Sequence, residues 1–181
     1  MKKLMGILLC AGLLFSCEDA KTDGDDKKTG DSSKVSSSGD FEIGDDNLKA
    51  WGSNSLQSLA SGDVDGWMKD YADTAIFRWS GGDSAVGKAA ITDYWKKRRT
   101  EVIDSLYYWD QVWLPMNVNK SQYPGQPTGK YLLGWYKVWA KYKTGKSMSQ
   151  RSHMVFHFNN DGKVDRVTHY IDRVPINAAA K

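Results

Sequence analysis

Hydrophobic residues between positions 47 and 99 recur mostly at the three- to four-residue spacing of amphipathic helices. The spacing predicts one helix from about residue 47 to Gly62, a second that Asp63 caps and that reaches residue 71, and a third over residues 87–99. Residues 74–79 alternate between apolar and polar and are predicted to form a short strand.

From residue 104 onward the apolar positions repeat every second residue, as they do in strands. Turn signals separate the predicted strands, which cover residues 104–116, 130–143, 147–158 and 163–172, with a long loop at 117–129. In the first of these strands the alternation predicts two faces, one with Tyr107, Trp109, Gln111 and Trp113 and the other with Leu106, Tyr108, Asp110, Val112 and Leu114. Helices followed by antiparallel strands indicate an α+β fold.

The N-terminus has the pattern of an export signal. Lys2 and Lys3 precede an apolar run over residues 4–15, which is too short to cross a bilayer and has the length of a signal-peptide core. The run leads into LFSC at residues 14–17, which resembles the lipobox of bacterial lipoproteins. The resemblance implies that residues 1–16 are a signal peptide and that lipidated Cys17 anchors the protein in the bacterial cell envelope. Secretion after cleavage elsewhere is the alternative.

Composition divides the rest of the chain near residue 46. Residues 18–46 carry ten acidic residues and four lysines with one aromatic residue, so residues 17–46 are predicted to be the lipidated cysteine and a disordered acidic tether. Residues 47–181 carry 19 basic residues, 12 acidic residues and 20 of the 22 aromatics, and are predicted to be the folded domain. Both cysteines, Cys10 and Cys17, precede this domain, which excludes a disulfide or a Cys-ligated metal within it.

Several short strings in the predicted domain, in this order, resemble the nuclear transport factor 2-like superfamily, which includes ketosteroid isomerases and SnoaL-type polyketide cyclases. The strings are SGDVDG at 61–66, YADTA at 71–75, GKAAI at 87–91 with Tyr94 and Trp95 after it, FHF at 156–158 and DGKV at 161–164. The resemblance implies a cone-shaped, strongly curved antiparallel sheet wrapped around about three N-terminal helices, with an apolar cavity inside.

The resemblance leaves the activity open, because the superfamily includes isomerases, hydrolases, cyclases, dehydratases and binding proteins. Ketosteroid isomerases use a tyrosine on the first helix and two aspartates in the sheet. An ungapped comparison places Ser55, Trp79 and Met154 at those positions. None of the three supplies the phenol or carboxyl group, so steroid isomerisation by that route is not expected, and binding is favoured over enzyme activity.

Three residues are candidates for catalysis. The comparison points His169 into the cone between Val167 and Ile171, where the ring could act as a base or donor, or be a hydrogen-bonded structural residue. Asp110 is a general-base candidate if its face of the strand is the inner one, and otherwise a surface acid. Asp172 ends the last strand and could orient His169 or pair with the arginine that follows it.

His153 and His157 lie four residues apart on one predicted strand, about 13 Å, which is too far to share a metal ion. The comparison places both opposite the cavity, toward solvent or a subunit interface. No phosphate loop, zinc helix or dinucleotide motif occurs, so neither a metal nor a cofactor is expected.

The eight tryptophans suggest a pocket for a flat apolar ligand, although the same residues could simply fill a core. Taken together with the comparison, they give the candidate pocket residues Tyr71, Trp79, Trp95, Trp135, Trp139, Val167 and Ile171.

Four consecutive basic residues at positions 96–99 end the third predicted helix, where they suit the negative end of the helix dipole. No base-stacking motif accompanies them, so a solvated face, an anionic envelope lipid or an acidic ligand is favoured over nucleic acid.

The sequence therefore predicts a lipoprotein, held on the membrane through Cys17, whose domain binds a small apolar or aromatic molecule without turnover. One alternative is a SnoaL-like isomerase, lyase or cyclase that uses His169 with Asp110 or Asp172. Another is a structural subunit that forms a homodimer through the outer face of the sheet.

Overall fold

A computed structural model describes residues 39–181. The predicted signal peptide, Cys17 and most of the predicted tether lie outside these residues. The elements are β1 (Phe41–Ile43), α1 (Asn47–Ser61), α2 (Val64–Met68), β2 (Tyr71–Trp79), β3 (Ser84–Val86), α3 (Lys88–Lys97), β4 (Ile103–Val118), β5 (Gly129–Tyr142), β6 (Ser147–Phe158), β7 (Val164–Tyr170) and α4 (Arg173–Ala180). A π-helical turn, Arg98–Val102, joins α3 to β4. Within residues 39–181, none of the helices has the length and apolar character that crossing a membrane requires.

The seven strands form one curved, unclosed sheet in the order β1-β4-β5-β6-β7-β2-β3, which confirms the predicted α+β class. Every neighbouring pair is antiparallel except β2 and β7, which run parallel, so the expectation of antiparallel pairing fails at this one place. Helices α1 and α3 pack on the sheet through β4 and β2, and α4 packs on β5 and β6.

Folded structure begins before the predicted boundary at residue 47. Strand β1 lies inside the stretch predicted to be tether, and its Phe41 and Ile43 pair with Val118 and Met116 at the end of β4. The sequence did not predict this strand, because it has only three residues and lies in an acidic stretch. Its hydrogen bonds are to β4, which is distant in sequence.

The boundary between α1 and α2 lies where the local capping residues predicted it. Helix α1 ends at Gly62, whose φ of 88° is in the left-handed region that glycine adopts without strain. Asp63 then caps α2 by accepting a hydrogen bond from the Gly66 backbone N–H at 2.8 Å. Helix α2 is shorter than predicted, and Tyr71 begins β2 rather than ending the helix.

Strand β4 contains a bulge that the sequence pattern did not predict. Trp109 pairs with Lys137 and Val112 with Trp135, so one extra residue lies on β4 between these pairs, where Asp110 has a φ of 50°. The extra residue reverses the faces of the strand. Trp109 stacks on exposed Tyr107 on the outer face, whereas Trp113 is buried in the core. The predicted shared face for these residues is therefore wrong.

An aromatic core fills the end of the sheet beneath α1. Trp51 of α1 packs edge-on against Phe156 and Phe158 of β6, with ring centroids 5.2 and 5.0 Å apart. Trp113 lies directly on Gly134, where an added Cβ would be 2.2 Å from the indole ring. The indole therefore fits only because residue 134 has no side chain.

Candidate ligand-binding cavity

The other end of the sheet holds a partly open cavity of about 170 Å³ between β2, β4–β7, α3 and α4. An engineered apolar cavity of about 150 Å³ holds benzene, so this volume has room for one aromatic ring. Thirteen of the lining residues are apolar or aromatic: Trp79, Tyr94, Trp95, Ile103, Leu106, Tyr108, Tyr136, Val138, Ala140, Tyr142, Met148, Ile171 and Ile176. The polar lining residues are Asp83, Arg98, His169, Arg173 and Asn177.

His169 is the buried polar residue of the cavity wall, with 5% of its surface exposed. The parallel pairing of β2 and β7 sets it in register with Trp79, another lining residue. Its Nε2 lies 2.9 Å from the Ser152 hydroxyl and 3.2 Å from the Tyr136 hydroxyl. Its Nδ1 is buried and has no hydrogen-bond partner among residues 39–181.

The hydrogen bonds of Ser152 assign the tautomer of His169. The Ser152 hydroxyl donates to the Tyr170 carbonyl at 3.1 Å, and a hydroxyl has a single proton. Ser152 therefore accepts from His169, and the ring proton lies on Nε2. This arrangement leaves Nδ1 as a buried lone pair without a hydrogen-bond partner among residues 39–181.

The cavity holds His169 in its neutral form. Burial, reinforced by the positive charge of Arg173 and by His153, lowers the pKa of His169 to about 3. Burial also raises the pKa of the Tyr136 phenol well above its usual value, so this neighbour is neutral as well. At neutral pH this wall of the cavity offers hydrogen bonds but no charge.

The two carboxylates proposed as partners of His169 are elsewhere. Asp110 is exposed on the outer face of β4, with an oxygen 2.7 Å from Lys137 Nζ. Asp172 is exposed and caps α4 by accepting from the Val174 N–H at 2.8 Å. Neither lines the cavity, so the predicted pairing of His169 with Asp110 or Asp172 is wrong. Asp110 faces outward because it lies in the bulge of β4. Asp172 does not face the cavity because it caps α4, a helix that was not predicted.

Asp83 is the carboxylate that does line the cavity, and the sequence analysis missed it. It lies on the exposed side of the wall, where the Arg173 guanidinium donates to it at 2.7 Å. This hydrogen bond lowers the pKa of Asp83, which is therefore an ion-paired carboxylate rather than a poised base. The feature of the sequence that could have identified Asp83 is its position directly after the Gly81-Gly82 turn.

Three of the seven candidate pocket residues, Trp79, Trp95 and Ile171, line the cavity. Tyr71 and Val167 are buried in the core without lining it. Tyr71 packs on an indole of α2 at 5.1 Å between ring centroids, which fills the space that it was predicted to border.

The other two candidates, Trp135 and Trp139, lie on the outer face of β5, contrary to the prediction. The inward residues of this strand are the even-numbered ones, and Tyr136, Val138 and Ala140 line the cavity instead. Aromatic residues occupy both faces of β5, so hydrophobicity alone did not distinguish them. The lysines at 137 and 141 share the odd-numbered face and were the signal that it points outward.

The remaining histidines are on the outer face of β6. The His153 ring stacks between Trp135 and Tyr170, with centroids 4.6 and 5.5 Å away. His157 is buried, and its Nδ1 and Nε2 lie 2.5 Å from an Asp165 oxygen and 3.0 Å from the Thr128 carbonyl. Both histidines thus have structural partners, and residues 39–181 contain no group of three or more potential metal ligands.

The three residues that the ungapped comparison placed at the ketosteroid-isomerase positions do not share one site. Ser55 is buried on α1, where its hydroxyl has no partner among residues 39–181, and Met154 is buried in the core on β6. Trp79 contributes only an aromatic surface to the cavity.

A curved, unclosed sheet around helices with a cavity in its concave face defines the nuclear transport factor 2-like, or SnoaL-like, fold. Solved structures with this arrangement include a proposed polyketide cyclase from Xanthomonas campestris (TM-score 0.56, 17% identity, 74% of this chain and 98% of that one). A second proposed polyketide cyclase, from Pseudomonas putida, has a TM-score of 0.55 and 16% identity over 70% of this chain and 92% of that one. A proposed isomerase from Bacillus subtilis has a TM-score of 0.53 and 18% identity over 75% and 94%.

At these identities the likeness shows the fold and not the activity. No protein-family model and no curated protein matches the chain.

Proposed function

We propose that the domain binds a small, largely apolar or aromatic molecule in the cavity and does not transform it. The observation that carries the proposal is a cavity the size of one aromatic ring, lined mostly by apolar and aromatic side chains and with the neutral His169 in its wall. Apolar walls with a few polar groups are typical of small-molecule sites.

Phenol titration followed by tryptophan fluorescence tests the proposal, because Trp79 and Trp95 line the cavity. We expect a saturable change for the wild type. Ala140→Leu adds three carbons to a buried lining position and should abolish it, whereas Ala178→Leu, on the exposed side of α4, should not. The absence of any saturable change in the wild type, or unchanged binding by folded Ala140→Leu, would contradict the proposal.

Acid–base catalysis is the second candidate, favoured by the contact of His169 with Tyr136. Neither Asp110 nor Asp172 lines the cavity, no carboxylate among residues 39–181 hydrogen-bonds to His169, and a pKa of about 3 makes the ring a weak base. Proton–deuterium exchange at the α-carbons of cyclohexanone, followed by NMR, distinguishes the candidates. Exchange at the buffer rate supports binding alone, whereas faster exchange that His169→Gln abolishes supports catalysis.

We also propose that lipidated Cys17 anchors the domain in the bacterial envelope. The support is the short apolar leader and its lipobox-like ending. Several acyl chains on one residue hold a protein firmly on a membrane. Cys17→Ser should move the protein from the membrane fraction to the soluble fraction, and unchanged fractionation would refute the anchor.

A homodimer through the outer face of the sheet is a further proposal. Tyr107, Trp135 and Tyr170 on this face are 60%, 42% and 49% exposed, which is an unusual amount of aromatic surface to leave in water. Light scattering should give twice the chain mass for the wild type and the chain mass for Trp135→Glu. A monomeric wild type would overturn the proposal.

A further inference from the structure

The polar groups of the cavity include an arginine whose charge is not balanced. Arg98 is half-buried in the wall, with its guanidinium carbon 5.8 Å from the centre of the Tyr94 ring. Within residues 39–181 no carboxylate lies within 4.0 Å of it. The other cation of the wall, Arg173, is paired with Asp83 at 2.7 Å. The cavity therefore carries one surplus positive charge.

The four basic residues at positions 96–99, where α3 passes into the π-helical turn, have different surroundings. Lys96 and Lys97 are exposed and pair with Asp65 and Glu101 at 2.7 and 3.9 Å. Arg99 donates to the Ala60 carbonyl at the end of α1. The run of four basic residues is thus not one charged surface, because its members have different environments and Arg98 alone lines the cavity.

One of the lining residues, Trp95, contains a donor that has no partner among residues 39–181. The Trp95 indole N–H is buried without an acceptor among the described residues, and an indole N–H can only donate. Asp83, the one carboxylate among the lining residues that the structure describes, is already held by Arg173. Among the described residues, the lining of the cavity thus holds an unpaired cation, Arg98, and its one carboxylate is already paired.

We propose that the ligand is a small aromatic carboxylate, whose ring occupies the space beside Trp79 and Tyr136 and whose carboxylate pairs with Arg98. Guanidinium and carboxylate match as two parallel hydrogen bonds, which gives both affinity and orientation. The volume of about 170 Å³ limits the ring system to one ring with a short substituent. This inference rests on the proposed binding function and adds to it the chemical class of the ligand.

Benzoate and benzamide test the inference, because they share size and shape and differ in charge. Isothermal titration of the full chain at pH 7 should show benzoate binding on the order of 10- to 100-fold more tightly than benzamide, the range expected for a charge-assisted pair. Arg98→Met should bring the two affinities within about 3-fold while benzamide still binds. Lys97→Met, which removes the neighbouring exposed charge, should keep the wild-type ratio.

The outcomes separate the inference from the function on which it rests. Equal affinities in the wild type, or a ratio that survives in Arg98→Met, would overturn the carboxylate while the cavity remains a binding site. Failure of both probes to bind the wild type would overturn the proposed function as well. If circular dichroism shows that Arg98→Met is unfolded, Arg98→Lys replaces it. That variant keeps the charge but loses the paired geometry, so we expect it to lower the ratio, and an undiminished ratio would count against the inference.

Discussion

The buried histidine of the cavity wall makes the stability of the domain depend on pH. The pKa of His169 is about 3 in the folded state, below the value near 6.5 of an unfolded chain. Between these two pH values the unfolded chain holds a proton on this residue and the folded chain does not. Acidification therefore favours unfolding, and the contribution of the neutral ring to stability is complete above pH 6.5 and is lost as the pH falls toward 3.

The magnitude follows from the size of the shift. Each pKa unit corresponds to roughly 1.4 kcal/mol, so a shift from 6.5 to about 3 amounts to about 5 kcal/mol of unfolding free energy. That loss is comparable to the entire stability of many small domains, which lies at about 5–15 kcal/mol. No discount for solvent applies, because the ring is 5% exposed.

Urea unfolding at pH 7, 6, 5 and 4, followed by tryptophan fluorescence, measures the effect. Carboxylates titrate in the same range, so the informative quantity is the difference between the wild type and His169→Gln. Below pH 6 the wild type should lose stability more steeply than the variant, by about 1.4 kcal/mol per pH unit. Ser152→Ala is the matched control, because it removes a hydrogen-bond partner of the ring and leaves the titrating group in place.

Ser152→Ala should lower stability by a similar amount at every pH and keep the steep acid dependence. Parallel curves for the wild type and His169→Gln would refute the reasoning, because they would mean that His169 titrates alike in the folded and unfolded states.

Three further predictions concern stability away from the cavity. Gly134→Ala should destabilise the domain by about 3 kcal/mol in thermal unfolding, since its Cβ would overlap the Trp113 ring, and an unchanged midpoint would show that the indole can move. Asp172→Ala should cost about 1 kcal/mol by uncapping α4, and Asp172→Asn, which can still cap, should cost less; equal losses would argue against the cap. His157→Phe should speed proteolysis in the loop between β4 and β5, because the ring bonds both Asp165 and that loop, and cleavage at the wild-type rate would contradict this role.

The sequence correctly predicted features that depend on residues adjacent in the chain. The stop at Gly62 and the cap at Asp63 follow from the left-handed φ that glycine tolerates and from the reach of an aspartate side chain, so a few residues determine them. Helix α4 had the same kind of signal, with Asp172 as its cap and Pro175 in its first turn, and was missed because residues 163–172 read as a terminal strand.

Features that depend on distant residues could not be predicted in this way. The pairing of β2 with β7 joins residues about 90 positions apart, and only this contact sets Trp79 beside His169. The cavity face of β5 depends likewise on which side the helices cover, and aromatic residues on both faces concealed it. The fold itself was predicted through resemblance to a family rather than through periodicity, which indicated only the α+β class.

The bulge at Asp110 determines where the hollow part of the domain ends. Before it, Leu106 and Tyr108 of β4 line the cavity; after it, the reversed alternation turns Trp113 inward, against Gly134 and beneath α1. Tyr136 joins the two regions, since its ring contacts Tyr108 at 5.3 Å and Trp113 at 6.4 Å between centroids. Without the extra residue, the same alternation would carry Trp113 to the outer face and leave its place in the core empty. One strand therefore builds both the wall of a binding site and the solid core that closes it, and a single residue in the left-handed region separates the two.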